Sequence, residues 1–429
     1  MIERLMNIFA PPDQRLYPFE FYARMRRFNP VVYDERKNVW GVFRYTDVHA
    51  ILADYTTFSS APQKLDSPSL SSSEANKNTT AAAFQRPSLL QSDPPYHRIL
   101  RGVIASAFTP MIIAKLEPHI ENVANETLNQ VNEKGRMDLI DDLAYPLPVT
   151  IIAELLGVPI EDRNLFRGWA DRIVSSTGGG DDMSDDHGTA KNIAQIVDEM
   201  DSYFSTIVEE RIRSPREDLI TNLIKAQADG RHLSKDEILT FCRLLLLAGH
   251  VTTVNLIGNT ILSLLQNPDE FKLLQDDYNL IGSTIEETLR YRSPVQAVAR
   301  IVTKETNLGR QKIQSGQRII AWLGSANHDE SIFADPERFD ITRSNSATHH
   351  GHVGFGHGIH FCLGAPLARL EGQVVLRVIL QRLQDLTLDT YDTKKNEKDC
   401  LSPLQSVFFH GVAHLPLRFQ AGQMIPNHN

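Results

Sequence analysis

Cysteine is scarce in this chain: Cys242, Cys362 and Cys400 are the three in 429 residues. An odd, irregularly spaced set argues against a disulfide framework and fits a reducing cytoplasm. Positive charge is also short. Lys and Arg total 44 against 53 Asp and Glu, a net charge of −9, so nucleic-acid binding has no global electrostatic support. Long apolar runs are missing too. The purest, Leu244 to Ala248, falls far short of the roughly 20 residues that cross a bilayer. The N-terminal Met-Ile-Glu-Arg-Leu-Met-Asn lacks the charged region, apolar core and cleavage site of a secretory signal. No internal repeat is visible. The expectation is a cytoplasmic protein with no membrane and no nucleic-acid partner.

What is present is ordinary globular composition, 41% hydrophobic and 23% charged, with enough chain for a large core. A short helix is expected over 18–27, then alternating strands at Val31–Tyr33 and Val39–Phe43 around a Glu35-Arg36-Lys37-Asn38 turn. Residues 61–90 are rich in Ser, Ala, Asn, Gln and Thr and read as a linker or a mobile functional loop. From Pro110 to Ala228 the periodicity is mostly helical, with a flexible connector at 175–188. The longest helix runs from Lys235 to about Leu265, opened by a Ser234/Glu237 capping box and spanning roughly 45 Å at 1.5 Å per residue. Short strands follow Pro294. A last long helix follows Cys362, then a hairpin of Val407-Phe408-Phe409 against Leu415–Phe419. The fold class is mainly α with small β-sheets.

The segment from Phe355 to Gly364 carries the strongest chemical signal. A thiolate bound to iron needs close backbone approach, hydrogen-bond donors and shelter from water. Gly356, Gly358 and Gly364 supply the first. Phe355 and Phe361 supply apolar cover, and a helix starting after Cys362 points its positive end at the sulfur. A lone buried cysteine is ordinarily an inert small hydrophobe. A second option is zinc, since His349, His350, His352, His357 and His360 cluster here, but they lack paired-ligand spacing. The ten residues match F-x-x-G-x-x-x-C-x-G, and the chain resembles the cytochrome P-450 superfamily in this segment.

That resemblance extends through four motifs in family order. It implies one catalytic domain over 1–429 with a tail at about 422–429, shaped as a triangular prism. Haem b would lie between the long central helix and the helix after the cysteine loop. Cys362 would be the iron ligand, with Phe355, Gly356, Gly364 and Ala368 around it. In Asp93–Arg101, His97 and Arg101 stand at i and i+4 on one helix face; with Arg300 and His360 they match propionate-binding positions. Glu287 and Arg290 match E-x-x-R, an intrahelical pair worth little when exposed. In the family it is buried and joined by a downstream arginine, for which Arg338 of Asp335-Pro336-Glu337-Arg338-Phe339 is the candidate.

Ala248-Gly249-His250-Val251-Thr252-Thr253 matches the family's oxygen-binding stretch, Thr252 keeping the hydroxyl that organises protons. Val251 departs from it, because an acid is usual there and valine cannot relay protons. Three options stand open: water ordered by Thr252, His250 as a substitute, or hydrogen peroxide as oxidant. Partial uncoupling is the expectation. The implied reaction inserts one oxygen atom from O2 into a medium-to-large hydrophobic substrate. The pocket walls are expected at Leu245, Ala248, Val295, Gln296, Val298, Val407, Phe408, the 61–90 loop and the helices around 165–210. Electrons would come from a ferredoxin or flavodoxin, steered to Arg98, Arg369 and Arg377 of a monomeric enzyme. A haem-based ligand sensor without turnover is the alternative from another class.

Overall fold

The structure is a computed structural model that describes residues 7–61, 88–162, 164–166, 168–169, 172, 187–228, 230–343, 351–389 and 401–421. Most of the 61–90 segment, nearly all of the 175–188 connector, His349, His350, Cys400 and the 422–429 tail lie outside the described residues.

The capping box forms as the sequence dictates. The Ser234 hydroxyl accepts the Glu237 amide, and the Glu237 carboxylate accepts the Ser234 amide at 2.8 Å. It opens a 32-residue helix, Lys235–Gln266, and Pro268 starts the next, Pro268–Asp276. Helices Pro146–Leu155, His187–Arg213, Ile281–Tyr291 and Ala365–Arg382 pack around this central helix. Among the described residues it is the one single helix long and apolar enough to cross a membrane, and 67% of its most apolar window is buried inside the protein. Its second half, Thr253 to Leu264, is buried on every side. Its middle is not, although apolar residues stand on nearly all sides of Leu244–Leu247. Leu244, Leu245, Leu247, Val251 and Thr252 are half-buried and Ala248 is exposed.

The sheet expected from the N-terminal alternation has five strands in the order Val31–Asp34, Val39–Val42, Arg318–Trp322, Ala297–Val302 and Phe58–Ser59. Val31 pairs with Val42 across an antiparallel turn, where Asn38 takes the left-handed backbone (φ 51°). All of Val39–Val42 is buried because the N-terminal segment covers it: a Cβ on Gly41 would stand 2.9 Å from Ile8.

The expected C-terminal hairpin does not form. Pro416–Ala421 pairs instead with Leu383–Leu388 and with Arg136–Asp138, a strand unforeseen in the helical half. The Ser406 hydroxyl accepts the amides of Phe408 and Phe409, and an isolated bridge to Val295 is all that Phe409 contributes. With those donors taken locally, residues 407–409 turn rather than extend.

Candidate active site

The cysteine loop is shaped by its glycines. Gly358 (φ 71°) sits where a Cβ would meet the Leu52 carbonyl oxygen at 2.5 Å, so both its conformation and its space require glycine. The Cys362 amide donates to the Phe355 carbonyl at 2.9 Å, closing the loop under the sulfur. Burial pushes the thiol pKa up, opposed by the Gly364 and Ala365 amides at the start of helix Ala365–Arg382 and by the charges of Arg101 and Arg369. Ala368 lies one turn into that helix, its amide bonded to the Gly364 carbonyl. The Phe355 ring stands 6.3 Å from Phe361 and 4.6 Å beneath the Arg369 guanidinium. Glu286 holds Arg369 at 2.6 and 2.9 Å and takes His352 at 3.1 Å.

Beside the loop lies a cluster of basic side chains, His97 and Arg300 buried and Arg101 and His360 half-buried. The His97 and His360 rings approach to 4.3 Å, and Arg300 is nine-tenths buried. Arg101 donates to the Phe361 carbonyl at 2.7 Å. Burial, reinforced by these neighbours' charges, lowers His97 to about 4 and His360 to about 3; burial lowers Arg300 to about 10. Both Nε2 atoms are buried without a hydrogen-bond partner. Asp93 is near, yet it already accepts from Ser59 at 2.5 Å and from the Ser60 amide at 3.2 Å. Orphaned imidazole nitrogens beside two arginines fit a ligand bearing carboxylates. Haem, with two, fits this cluster and the half-buried thiol beside it.

On the central helix the open positions Leu245, Ala248 and Thr252 share one face, at i, i+3 and i+7. The Thr252 hydroxyl bonds back to the Ala248 carbonyl at 2.7 Å, and the buried Thr253 hydroxyl to the Gly249 carbonyl at 2.9 Å. Gly249 faces away from the strip: a Cβ there would meet Ile152 at 2.8 Å. His250 is buried edge-on against Tyr145 at 4.3 Å, about 200° around the helix from Ala248 and from Thr252. It does not reach the open strip, so the structure removes it as a substitute acid. Val251 is half-buried and offers no polar atom.

The expected walls divide. Val295 and Val298 are half-buried and accessible. Gln296 is buried the other way, accepting from Tyr22 at 2.7 Å and donating to the Ser293 carbonyl at 2.6 Å. Two strong internal partners turn the amide toward Tyr22 and Ser293. Val407 and Phe408 pack on the N-terminal cluster, Phe408 at 6.3 Å from the Phe9 ring.

Three other expectations change. Arg343, not Arg338, joins the Glu287–Arg290 pair, its Nε 3.1 and 3.2 Å from the carboxylate oxygens. The Arg338 side chain is 63% exposed and pairs with Glu270; only its carbonyl faces the cluster. Two docking arginines are engaged, Arg369 by Glu286 and Arg377 by Glu117 and Glu121, leaving Arg98 exposed. The described histidines of the loop disperse: His352 to Glu286, His357 to His49, His360 to His97. Among the described residues no metal-competent trio includes them. Reading the sequence missed Arg343 and Glu286, and no signal in single-sequence spacing marks either.

A cytochrome P450 family model matches residues 21–405. The chain is 38% identical to "Cytochrome P450 109" of Bacillus spizizenii over 97% of this chain and 96% of that one. It is 38% identical to the erythromycin C-12 hydroxylase of Saccharopolyspora erythraea over 93% of each. Among solved structures it superposes on CYP109E1 of Bacillus megaterium in complex with testosterone, at a TM-score of 0.80 and 37% identity over 94% of this chain and 99% of that one. A thiol loop, a basic cluster with orphaned ring nitrogens beside it and an open helix strip thus stand in a chain aligned nearly end to end with these proteins: it belongs to the cytochrome P450 family, and is a haem-dependent monooxygenase.

Proposed function

We propose that this P450 hydroxylates a medium-to-large, mostly apolar polycyclic or macrocyclic substrate, of steroid or macrolide type, in the cytoplasm. The observation that carries the reading is the combination of a half-buried thiol, a cluster of two arginines and two histidines with orphaned ring nitrogens, and an open apolar strip on the central helix. Cys362 would hold the iron of the haem, and His97, Arg101, Arg300 and His360 its propionates. Bound haem supplies the oxygen-activating chemistry, favoured by a thiolate that donates electron density. Phe355 covers the sulfur, Leu245, Ala248, Val295 and Val298 exclude water and orient the substrate, and Thr252 holds a proton donor at the strip. Relatives named for a macrolide hydroxylase and a testosterone complex support the substrate class. Electrons would come from a separate ferredoxin- or flavodoxin-type donor meeting a monomeric, single-domain enzyme at the face where Arg98 and Phe361 are exposed.

The test is spectroscopic. The reduced protein under carbon monoxide should give the red-shifted Soret band of thiolate-ligated haem, and Cys362→Ser should lose it. Testosterone or an erythromycin-type macrolide should then convert ferric haem to high spin. No Soret shift in the native chain would overturn the reading; spin conversion by short fatty acids alone would overturn the substrate class. Val251 favours a second reading, in which hydrogen peroxide serves as oxidant. Turnover with peroxide exceeding that with a reductase and O2 would establish it.

A further inference from the structure

The turn at 407–409 is joined on one side to the chain that carries Val295. The Gln296 amide donates to the Phe408 carbonyl at 2.8 Å, the His410 amide to the Pro294 carbonyl at 3.0 Å, and Val295 bridges to Phe409. Near the turn lies a cavity of about 20 Å3 whose walls include Arg15, Tyr22, Trp322, Ser406 and His410. Two of these side chains, 1% and 3% exposed, keep a buried polar atom without a hydrogen-bond partner: Trp322 at Nε1 and His410 at Nδ1. The other two tryptophans are partnered, Trp40 with Gln317 at 2.9 Å and Trp169 with Glu199 at 3.1 Å. A buried polar atom left unpaired costs free energy unless something in the cavity meets it.

The two orphans are opposite in kind. An indole nitrogen only donates. His410 Nε2 stands 3.1 Å from the Leu16 carbonyl, which only accepts, so Nε2 carries the ring hydrogen. Burial, with the charge of Arg292 nearby, lowers His410 to about 3 and keeps the ring neutral. Its Nδ1 is therefore an acceptor. Each orphan has a companion of its own kind on the cavity wall. The Ser406 hydroxyl, whose oxygen takes the Phe408 and Phe409 amides, has a proton to give. The Tyr22 hydroxyl gives its proton to Gln296 at 2.7 Å, and its oxygen can accept.

We propose that this cavity is a built site for one water molecule, which ties the 406–410 turn to the five-stranded sheet and to helix Phe19–Phe28. Two donors and two acceptors match the two lone pairs and two hydrogens of water. An anion has no hydrogen for His410, and a cation has no lone pair for Trp322 and would be repelled by Arg15. The volume suits a single molecule, since a water needs roughly 10–15 Å3 and two to four polar partners. His410 already joins the N-terminal segment through Leu16, and the central helix through Asn259, which donates to its carbonyl at 2.9 Å. The water adds Trp322, at the end of strand Arg318–Trp322, and Tyr22 to that junction. The turn beside Val295 is then held on a second side, at little entropic cost.

A crystal structure of the haem-loaded protein, grown with bromide in place of chloride, should show one density within hydrogen-bond distance of Trp322 Nε1 and His410 Nδ1. That density should carry no anomalous signal. In the reduced, carbon monoxide-bound protein the Trp322 indole proton should show a nuclear Overhauser cross-peak to long-lived water. Trp322→Phe removes a donor and should lose the density. It should also speed amide hydrogen exchange over residues 404–412 about 3- to 10-fold while keeping the carbon monoxide spectrum. Anomalous density, a dry cavity or a missing water cross-peak would overturn the site. Unchanged exchange in Trp322→Phe would overturn its hold on the turn. The crystal and resonance measurements need no variant, and if Trp322→Phe fails to load haem, Tyr22→Phe carries the exchange test, where unchanged rates would equally overturn that hold.

Discussion

The carboxylate of Glu287 and the guanidinium of Arg300 are both buried, and their surroundings differ in kind. Around Glu287 nearly every polar atom is matched. Arg290 meets both its oxygens at 2.8 Å, Arg343 adds a third donor and the Asp340 amide a fourth. The spare Arg290 donors reach the carbonyls of Asn327, Pro336 and Arg338. Around Arg300 the balance fails: its hydrogen bond within the protein goes to the neighbouring Ala299 carbonyl, and two histidines with orphaned nitrogens stand beside it. A closed cluster holds a fold together, whereas an open one with orphaned nitrogens awaits a partner. The difference separates structural from ligand-binding charge without reference to any relative.

Breaking the closed cluster should give the largest effect. Glu287→Ala strands Arg290 without its carboxylate and should cost about 3–5 kcal/mol, enough to prevent haem-loaded protein from accumulating. Arg343→Ala, which leaves the Glu287–Arg290 pair intact, should cost less, about 1.5–3 kcal/mol. Both follow from denaturation midpoints and from haem content after expression. The comparison breaks if Glu287→Ala folds and loads haem normally.

The open cluster should respond in the opposite sense. Arg300→Leu removes a buried cation with little internal partnership, so haem-free protein should be as stable as the parent or more so. Haem affinity should nevertheless fall roughly 10- to 100-fold, the worth of about 1.5–3 kcal/mol in charge-assisted hydrogen bonds. Haem transfer to apomyoglobin measures this directly. Destabilised haem-free protein with unchanged haem affinity would place Arg300 with the structural charges.

The pH dependence sharpens the same contrast. In haem-free protein His97 stays neutral down to about 4, while a histidine in an unfolded chain protonates near 6.5. Between those values the unfolded state binds more protons, so stability should fall as pH drops through that window. Bound propionates favour the charged ring and should abolish the loss. Urea titrations at pH 7 and pH 5, with and without haem, test it, and His97→Gln should flatten the haem-free curve.

Much of this site was legible in the sequence, and the exceptions share a cause. The capping box at Ser234, the glycine loop before Cys362 and the i, i+4 placement of His97 and Arg101 are local patterns, and local geometry makes them readable. The misread features depend on contacts distant in the chain. Gln296 looked available until Tyr22, 274 residues away, took its oxygen. The terminal hairpin failed because Pro416–Ala421 found Leu383–Leu388 and Arg136–Asp138.

Arg338 gives the smallest expected effect and a demanding control. Its motif suggested a buried partner of Glu287, yet its guanidinium is largely in solvent, 3.4 Å from Glu270. Exposed pairs contribute about 0–1 kcal/mol, because solvent screens them and ordering two long side chains costs entropy. What the cluster takes from this position is the backbone carbonyl, which accepts from Arg290 and Arg343 at 3.1 and 3.0 Å and survives any side-chain change. Arg338→Ala should therefore change the denaturation midpoint by under about 0.5 kcal/mol in free energy and leave haem loading intact, while Arg343→Ala a few residues on does neither. A large loss in Arg338→Ala would mean that its guanidinium, rather than that of Arg343, closes the cluster.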